Sequence, residues 1–207
     1  MTKNYFIYYN GPKIIITILL LGILINQIVL YITELLESFF NVDYLKFPST
    51  AVILGIIITL IDKCLWNKFP FKYLYEVKDI SGRYEGNISF KHYLTGEVEQ
   101  RDCAIEIRQT GSSLRIRTFF KDCTQGTSYS ITKDLKLTIE DNHYTIFMIY
   151  HNLGNSVLNI PEHHGTNILD YSLDNKTLTG RYYTDKEPQT KGIMTLNFTD
   201  KKFKNRY

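Results

Sequence analysis

ISGRYEG, Ile80–Gly86, and LTGRYYT, Leu178–Thr184, write Gly-Arg-Tyr twice in one chain of 207 residues. Around both copies, apolar and polar residues alternate, and the same period of two recurs throughout the stretch after Asp79. Ile105 and Ile107 alternate with Glu106 and Arg108, Leu114 and Ile116 with Arg115 and Arg117, and Leu135, Leu137 and Ile139 with Lys136, Thr138 and Glu140. Each such strand has one dry face and one wet face. Strands are predicted at 82–90, 98–108, 113–121, 128–139, 143–151, 167–173, 177–184 and 192–199. About eight antiparallel strands is the number at which an up-and-down barrel closes. A sandwich is the main rival, but the connections read as successive hairpins with no long crossing segment.

The connections sort by length. QTGSS near Thr110, EDN near Asp141 and LDNK near Asp174 are tight turns of Gly, Asn and Asp. They alternate with longer loops at 91–97, 122–127, 152–166 and 185–191. In a meander every second connection lies at the same end, so the tight turns share a rim with the incoming chain and the long loops gather at the opposite mouth. Tyr84 is expected to fill the barrel floor, a packing role like that of the lipocalin Gly-x-Trp, and Tyr182 to lie nearer the mouth. The strand TIFMIYH, Thr145–His151, is apolar on both faces, as in a strand covered by another surface.

Upstream the composition changes. IIITILLLGILINQIVLYIT, Ile14–Thr33, holds no charged residue over a length matching the ~20 residues needed to span hydrocarbon. It is longer than a signal-peptide core and no small-residue cleavage site follows. A second apolar stretch, AVILGIIITLI, reaches spanning length when extended over 45–66, with Phe47 and Trp66 at the interfaces and Pro48 in the first turn. Lys3 and Lys13 precede the first span and Lys63, Lys68, Lys72 and Lys78 follow the second, whereas the connection carries Glu34, Glu37, Asp43 and only Lys46. The positive-inside rule then places both termini and the barrel in the cytoplasm. The expected organisation is a transmembrane helical hairpin at 1–66, a basic linker at 67–78 and a β-barrel at 79–207. Ala51, Gly55 and Thr59 fall at four-residue spacing, and Asn26 and Gln27 are polar groups mid-span. These five are candidate oligomerisation positions, with packing of the two helices on each other as the alternative.

A net charge of +3 and a pI near 8.6 do not point to a nucleic-acid polymer as partner. Cys64, Cys103 and Cys123 are an odd number without a C-x-x-C pair, which reads as unpaired thiols in a reducing compartment. Asn87, Asn175 and Asn197 open Asn-x-Ser/Thr matches that matter only in a secreted chain. No nucleophile elbow, P-loop or H-E-x-x-H is present, and His163 and His164 of PEHHG diverge on an extended loop, away from His92, His143 and His151, so neither catalysis nor a metal site is expected. The mouth instead collects Arg101, Lys121, Tyr150, His151, Arg181, Tyr182, Tyr183 and Lys191. Cations beside aromatic faces suit a small ligand with phosphates and bases.

A short N-terminus, two spans, a basic linker and a tyrosine-rich barrel opening on SGRYEG together resemble the two-transmembrane, β-strand-rich effectors of bacterial CBASS anti-phage defence. The resemblance covers essentially the whole chain by architecture. It implies an activating cyclic dinucleotide made by a cognate nucleotidyltransferase, no other cofactor, homo-oligomerisation, and disruption of the inner membrane by the clustered helices as abortive infection. A membrane-tethered, lipocalin-like carrier of an apolar ligand, and a structural anchor recruiting a protein partner, are the competing readings. The carrier requires a roomy apolar interior.

Overall fold

The computed structural model describes residues 8–40, 48–121, 127–140, 143–154 and 161–207. They divide into two compact units, one running up to Asp79 and including Thr110–Ser113, the other holding Ile80–Gln109 and Leu114–Tyr207.

In the first unit, α1 (Gly11–Phe40) is a single helix of 30 residues. Asn10 caps it, its side-chain oxygen accepting the Lys13 N–H at 3.2 Å. The helix outlasts the expected apolar run because Glu34–Phe40 contains no Gly or Pro to stop it. Only Ile14 and Ile25 are buried, and among the described residues this is the one helix long and apolar enough to cross a membrane. Of the second expected span, Leu45–Phe47 lie outside the described residues, as does Lys46 with them. The described part is α2 (Thr50–Leu60), of 11 residues, continued by a five-residue π turn, Ile61–Leu65. Those helical residues reach roughly 24 Å at ~1.5 Å each, short of a ~30 Å hydrocarbon core. Pro48 lies ahead of the helix rather than in its first turn, with Ser49 as N-cap.

The two helices touch. Thr50 Oγ1 donates to Asn26 Oδ1 at 3.3 Å, and Gly22 faces Leu54. Thr59 donates to its own helix, at the Gly55 carbonyl. Beyond the π turn, residues expected to be a linker are folded. A 3-10 turn (Phe71–Leu74) leads to Tyr75, which bridges to Tyr9. Tyr75 donates to Tyr9 (2.8 Å) and Tyr9 to Asp62 Oδ1 (2.8 Å), while Ser112 donates to Asp62 Oδ2 (2.9 Å). Trp66, expected at a membrane interface, is buried edge-on against Tyr75 at 5.8 Å.

The second unit is a closed antiparallel barrel with strands in chain order. These are β1 (Gly82–Lys91), β2 (Val98–Gln109), β3 (Leu114–Lys121), β4 (Thr127–Glu140), β5 (His143–Asn152), β6 (His163–Ser172), β7 (Thr177–Thr184) and β8 (Lys191–Asp200). Closure comes from β1 pairing with β8. The strand ends agree with the alternation to within a residue or two except at β6, which begins at His163 because Asn152 and His151 pair with His163 and His164. The PEHHG histidines therefore lie on a strand, not in a loop. Asp141 and its turn, residues 122–126 and Cys123 lie outside the described residues.

Inward residues of the lower half are bulky and buried. Tyr84, Ile105, Ile107, Ile116, Tyr144, Ile146, Leu169, Tyr171, Leu178 and Leu196 are each no more than 3% exposed. Tyr84 sits edge-on to Tyr171 (5.9 Å) and Phe198 (5.5 Å), and its hydroxyl donates to the Ile80 carbonyl at 2.7 Å. Such a filled floor leaves little room for an apolar cargo. The two Gly-Arg-Tyr copies now separate. Gly82 has φ +142°, where a side chain is strained and would strike Phe198, whereas Gly180 is pressed against the Ile168 carbonyl. Arg83 and Arg181 both face outward, and Tyr84 and Tyr182 both face inward, at opposite ends of the barrel.

Outside, the C-terminal tail straps β1 and β2. Glu106 Oε1 accepts from Arg83 Nη1 (2.9 Å), the Lys204 N–H (2.7 Å) and the Asn205 N–H (3.0 Å), with Arg83 1% exposed. On the far wall Phe147 and Ile149 of the expected two-faced strand are 40% and 49% exposed, while Ile146, Met148 and Tyr150 point inward.

Candidate ligand mouth of the barrel

The upper half of the barrel interior is polar where the lower half is apolar. Arg101 follows Cys103 and Ile105 in inward parity on β2, paired with Ile88 of β1. Tyr182 pairs inward with Gly192 and Asn167, and Tyr150 with Gly165. Gly165 and Gly192 have no side chain because those rings occupy the space it would need.

At the rim, the Arg101 guanidinium lies 5.8 Å from the centre of the Phe90 ring. Lys186, half-buried in the β7–β8 loop, has its ammonium held below the ordinary lysine range by burial first and by the charge of Arg101 second. Burial pushes the Tyr182 hydroxyl up to about 12, with nearby Arg101 opposing. Burial likewise raises Tyr150, whose hydroxyl reaches the Tyr183 carbonyl at 3.4 Å. His163 stands edge-on to Tyr150 at 6.4 Å. Desolvation depresses its imidazole, the Pro161 carbonyl (2.9 Å from Nδ1) opposes, and Lys186 adds to the depression. Two cations and a neutral histidine thus share a rim with three aromatic rings, and among the described residues no carboxylate bonds to Arg101 or Lys186.

Beside His163, its register partner, Asn152 donates to Ser130 at 3.0 Å. Thr118 Oγ1 and Asn167 Oδ1 are buried, aimed into the barrel, and without a partner among the described residues. Unpaired buried polar atoms are costly, and water or a ligand group would satisfy them. Cys103, also inward, is fully buried with its thiol raised to about 12 by desolvation, so it is a packing residue rather than a nucleophile.

Of the eight residues expected at the mouth, Arg101, Tyr150 and Tyr182 come together inside it. Lys121, His151, Arg181, Tyr183 and Lys191 take the outward parity. Lys121 pairs with Asp102 at 3.3 Å and lies 5.4 Å from the Tyr207 ring centre. His151 pairs with Glu162 at 2.5 Å and stacks on His164 at 4.7 Å. Arg181 is exposed between Ile168 and Ile193, and Tyr183 and Lys191 are register partners on the outer wall. Lys186, Phe90, His163, Thr118 and Asn167 were not anticipated. The signal for Thr118 was a polar residue between Ile116 and Phe120 in the alternation, and for Asn167 one two places ahead of Leu169.

The family model described as Cap15, cyclic dinucleotide receptor domain, matches residues 75–197, which span the mouth and all but the last strand residues of the barrel. The chain belongs to the Cap15 cyclic dinucleotide receptor family. A comparison with curated proteins and one with solved structures found no match. The family is the one that the sequence resembled, and it assigns the barrel to reception of a cyclic dinucleotide. The chemistry of the mouth suits such a molecule: a cyclic dinucleotide carries two phosphates for Arg101 and Lys186 and two bases for the rings of Phe90, Tyr150 and Tyr182.

Proposed function

We propose that this protein is an anti-phage effector in which a cyclic dinucleotide from a cognate nucleotidyltransferase binds the polar mouth and drives assembly and membrane disruption. The observation that carries this reading is the pair of partly desolvated cations, Arg101 and Lys186, set among aromatic rings inside a Cap15 receptor domain. Like charges near one another and partly out of water are poised for an anion that neutralises both. Thr118 and Asn167 supply hydrogen bonds for a base edge or for water beneath it.

The protein acts by binding, not by catalysis, and needs no cofactor beyond its activating ligand. α1 crosses the inner membrane, and α2 with the residues before it forms the second arm of a transmembrane hairpin, leaving both termini and the barrel in the cytoplasm. Basic residues flanking the spans support that orientation. Signal becomes assembly of protomers through the barrel wall, where Phe147 and Ile149 are exposed, and through the helices, at Gln27, Ala51, Gly55 and Thr59. Asn26 already has a partner in Thr50 of its own chain, so it exchanges that bond on assembly or serves hairpin packing. The test is release of a dye from vesicles holding the full chain on addition of cyclic dinucleotide. Release that depends on Arg101 and Lys186 supports the reading, and a ligand that binds without release would restrict the protein to a receptor.

A further inference from the structure

After the π turn the chain reads WNKFPFKY, Trp66–Tyr73. The main chain turns back on itself there: the Lys68 N–H donates to the Leu65 carbonyl (2.9 Å) and the Lys72 N–H to the Lys68 carbonyl (2.9 Å). The reversal leaves Phe69 and Tyr73 facing water together, 78% and 58% exposed and edge to face at 6.2 Å. One exposed aromatic ring is ordinary, but an adjoining pair has a use to be found. Exposed Lys68 and Lys72 flank the rings, with the Lys72 ammonium 5.2 Å from the centre of Tyr73. Beside them opens a cavity of about 260 Å³ lined by Trp66, Lys72, Tyr73, Tyr75 and Lys78. Glu76 and Asp79 also line it, but Asn10 and Asn67 donate to them, each at 3.3 Å. In the chain the patch directly follows α2 and its π turn, and on α2 Ile56 and Leu60 are 62% and 53% exposed beside a groove that includes Lys63.

We propose that this turn is a binding site for an anionic phospholipid headgroup. Phe69 and Tyr73 lie in the bilayer interface, and Lys68 and Lys72 hold the phosphate at the edge of the Trp66 cavity. Aromatic rings with a polar edge favour the interface, lysines there are attracted to anionic leaflets, and ammonium and phenol groups both donate to phosphate. Charge complementarity selects an anionic lipid, and the position of the turn directly after α2 and its π turn places it at the end of an apolar segment. The inference rests on the reading of α1 as a membrane span, since only an anchored chain meets headgroups at this density.

Trp66 is the sole tryptophan of the chain, so its emission reports this cavity alone. The full chain is placed in nanodiscs of phosphatidylcholine with rising fractions of phosphatidylglycerol, in separate series with one lipid or the other brominated. The site predicts stronger quenching by brominated phosphatidylglycerol than by brominated phosphatidylcholine, weakened by salt. It also predicts that K68Q and K72Q each raise the half-saturating phosphatidylglycerol fraction roughly fivefold with the far-ultraviolet spectrum unchanged. Equal quenching by the two lipids, indifference to both substitutions, or the same emission change from soluble glycerol phosphate overturns the headgroup site. A chain that is not recovered in the discs overturns the membrane reading and this site with it. A chain recovered there whose Trp66 ignores phosphatidylglycerol overturns this site alone.

Discussion

Arg101 packs its guanidinium over the Phe90 ring at 5.8 Å, within the electrostatic reach of Lys186 across the mouth. A cation over a ring gains from the ring's negative face, but two cations near each other out of water are unfavourable until an anion arrives. The mouth is therefore expected to give up some stability in the free protein, which a bound phosphate would return.

Removing one of these charges is expected to move affinity and stability in opposite directions. R101Q and K186Q each lose a charge-assisted bond worth about 1.5–3 kcal/mol, a loss of roughly 10-fold to 150-fold in affinity for a cyclic dinucleotide. The same substitutions leave the melting temperature of the free protein unchanged or raised. Calorimetry paired with thermal melting of the full chain in detergent separates this from a folding defect, which lowers both.

Binding is expected to weaken in alkali. The free Lys186 ammonium is held below its ordinary value, and bound phosphate restores it, so the complex takes up a proton over the pH range between the two. Affinity is full below that range and falls as the pH rises through the free-state value. K186R, which keeps its charge, flattens the fall. A titration across the alkaline range reads both.

Stability is expected to fall in acid for a reason at the other end of the molecule. Lys204 and then Arg83 hold Glu85 below the ordinary carboxylate range, so its contribution is present above pH 4.5 and is lost as pH falls through the folded value. Nearby, Arg83 and Glu106 form the buried pair on which the tail is fastened. R83M leaves the buried Glu106 carboxylate with only the Lys204 and Asn205 N–H groups and no cation, and is expected to cost about 3–5 kcal/mol, while the double variant R83M/E106L recovers much of that. Urea unfolding of the set in detergent measures the difference.

Cell killing is expected to fall when Asn26 and Gln27 are both replaced by leucine. Polar groups inside hydrocarbon seek partners on neighbouring helices, and Thr50 is the partner of Asn26 in the single chain. Chemical cross-linking in membranes together with a survival assay is the measurement. Unchanged killing and cross-linking would remove the polar pair from the account.

What the sequence revealed follows from how local each signal is. Alternation has a period of two and needs no knowledge of partners, which is why Ile105, Ile116 and Leu137 placed their strands to within a residue or two. Loop lengths then sorted the two rims. The mouth was harder because parity had to be applied at strand ends. Arg181 and Tyr182 are neighbours and cannot both point inward, and the same holds for Tyr150 with His151 and Tyr182 with Tyr183. Applying that rule would have kept Arg101, Tyr150 and Tyr182 and set Arg181, His151 and Tyr183 outside. Lys186 was beyond reach, since a loop residue's inward turn depends on hydrogen bonds such as Thr184 N–H to the Thr190 carbonyl that no pattern states. The start of β6 was misplaced because His163–Gly165 lacks an apolar alternation and is ordered by its neighbour β5. The second membrane arm was read from an apolar stretch extended to Phe47, Pro48 and Trp66, and its described helix is shorter than that reading because Pro48 lies ahead of it and Trp66 is buried beyond it.

The central claim is that the mouth receives a cyclic dinucleotide. Thermal melting and calorimetric titration of the full chain in detergent, against a panel of cyclic di- and trinucleotides, test it most directly. The account predicts one selective ligand that at 100 times its dissociation constant stabilises the protein by about 2.7 kcal/mol, with the shift abolished in R101Q/K186Q. No shift with any member of the panel, or an equal shift in R101Q/K186Q, would contradict it.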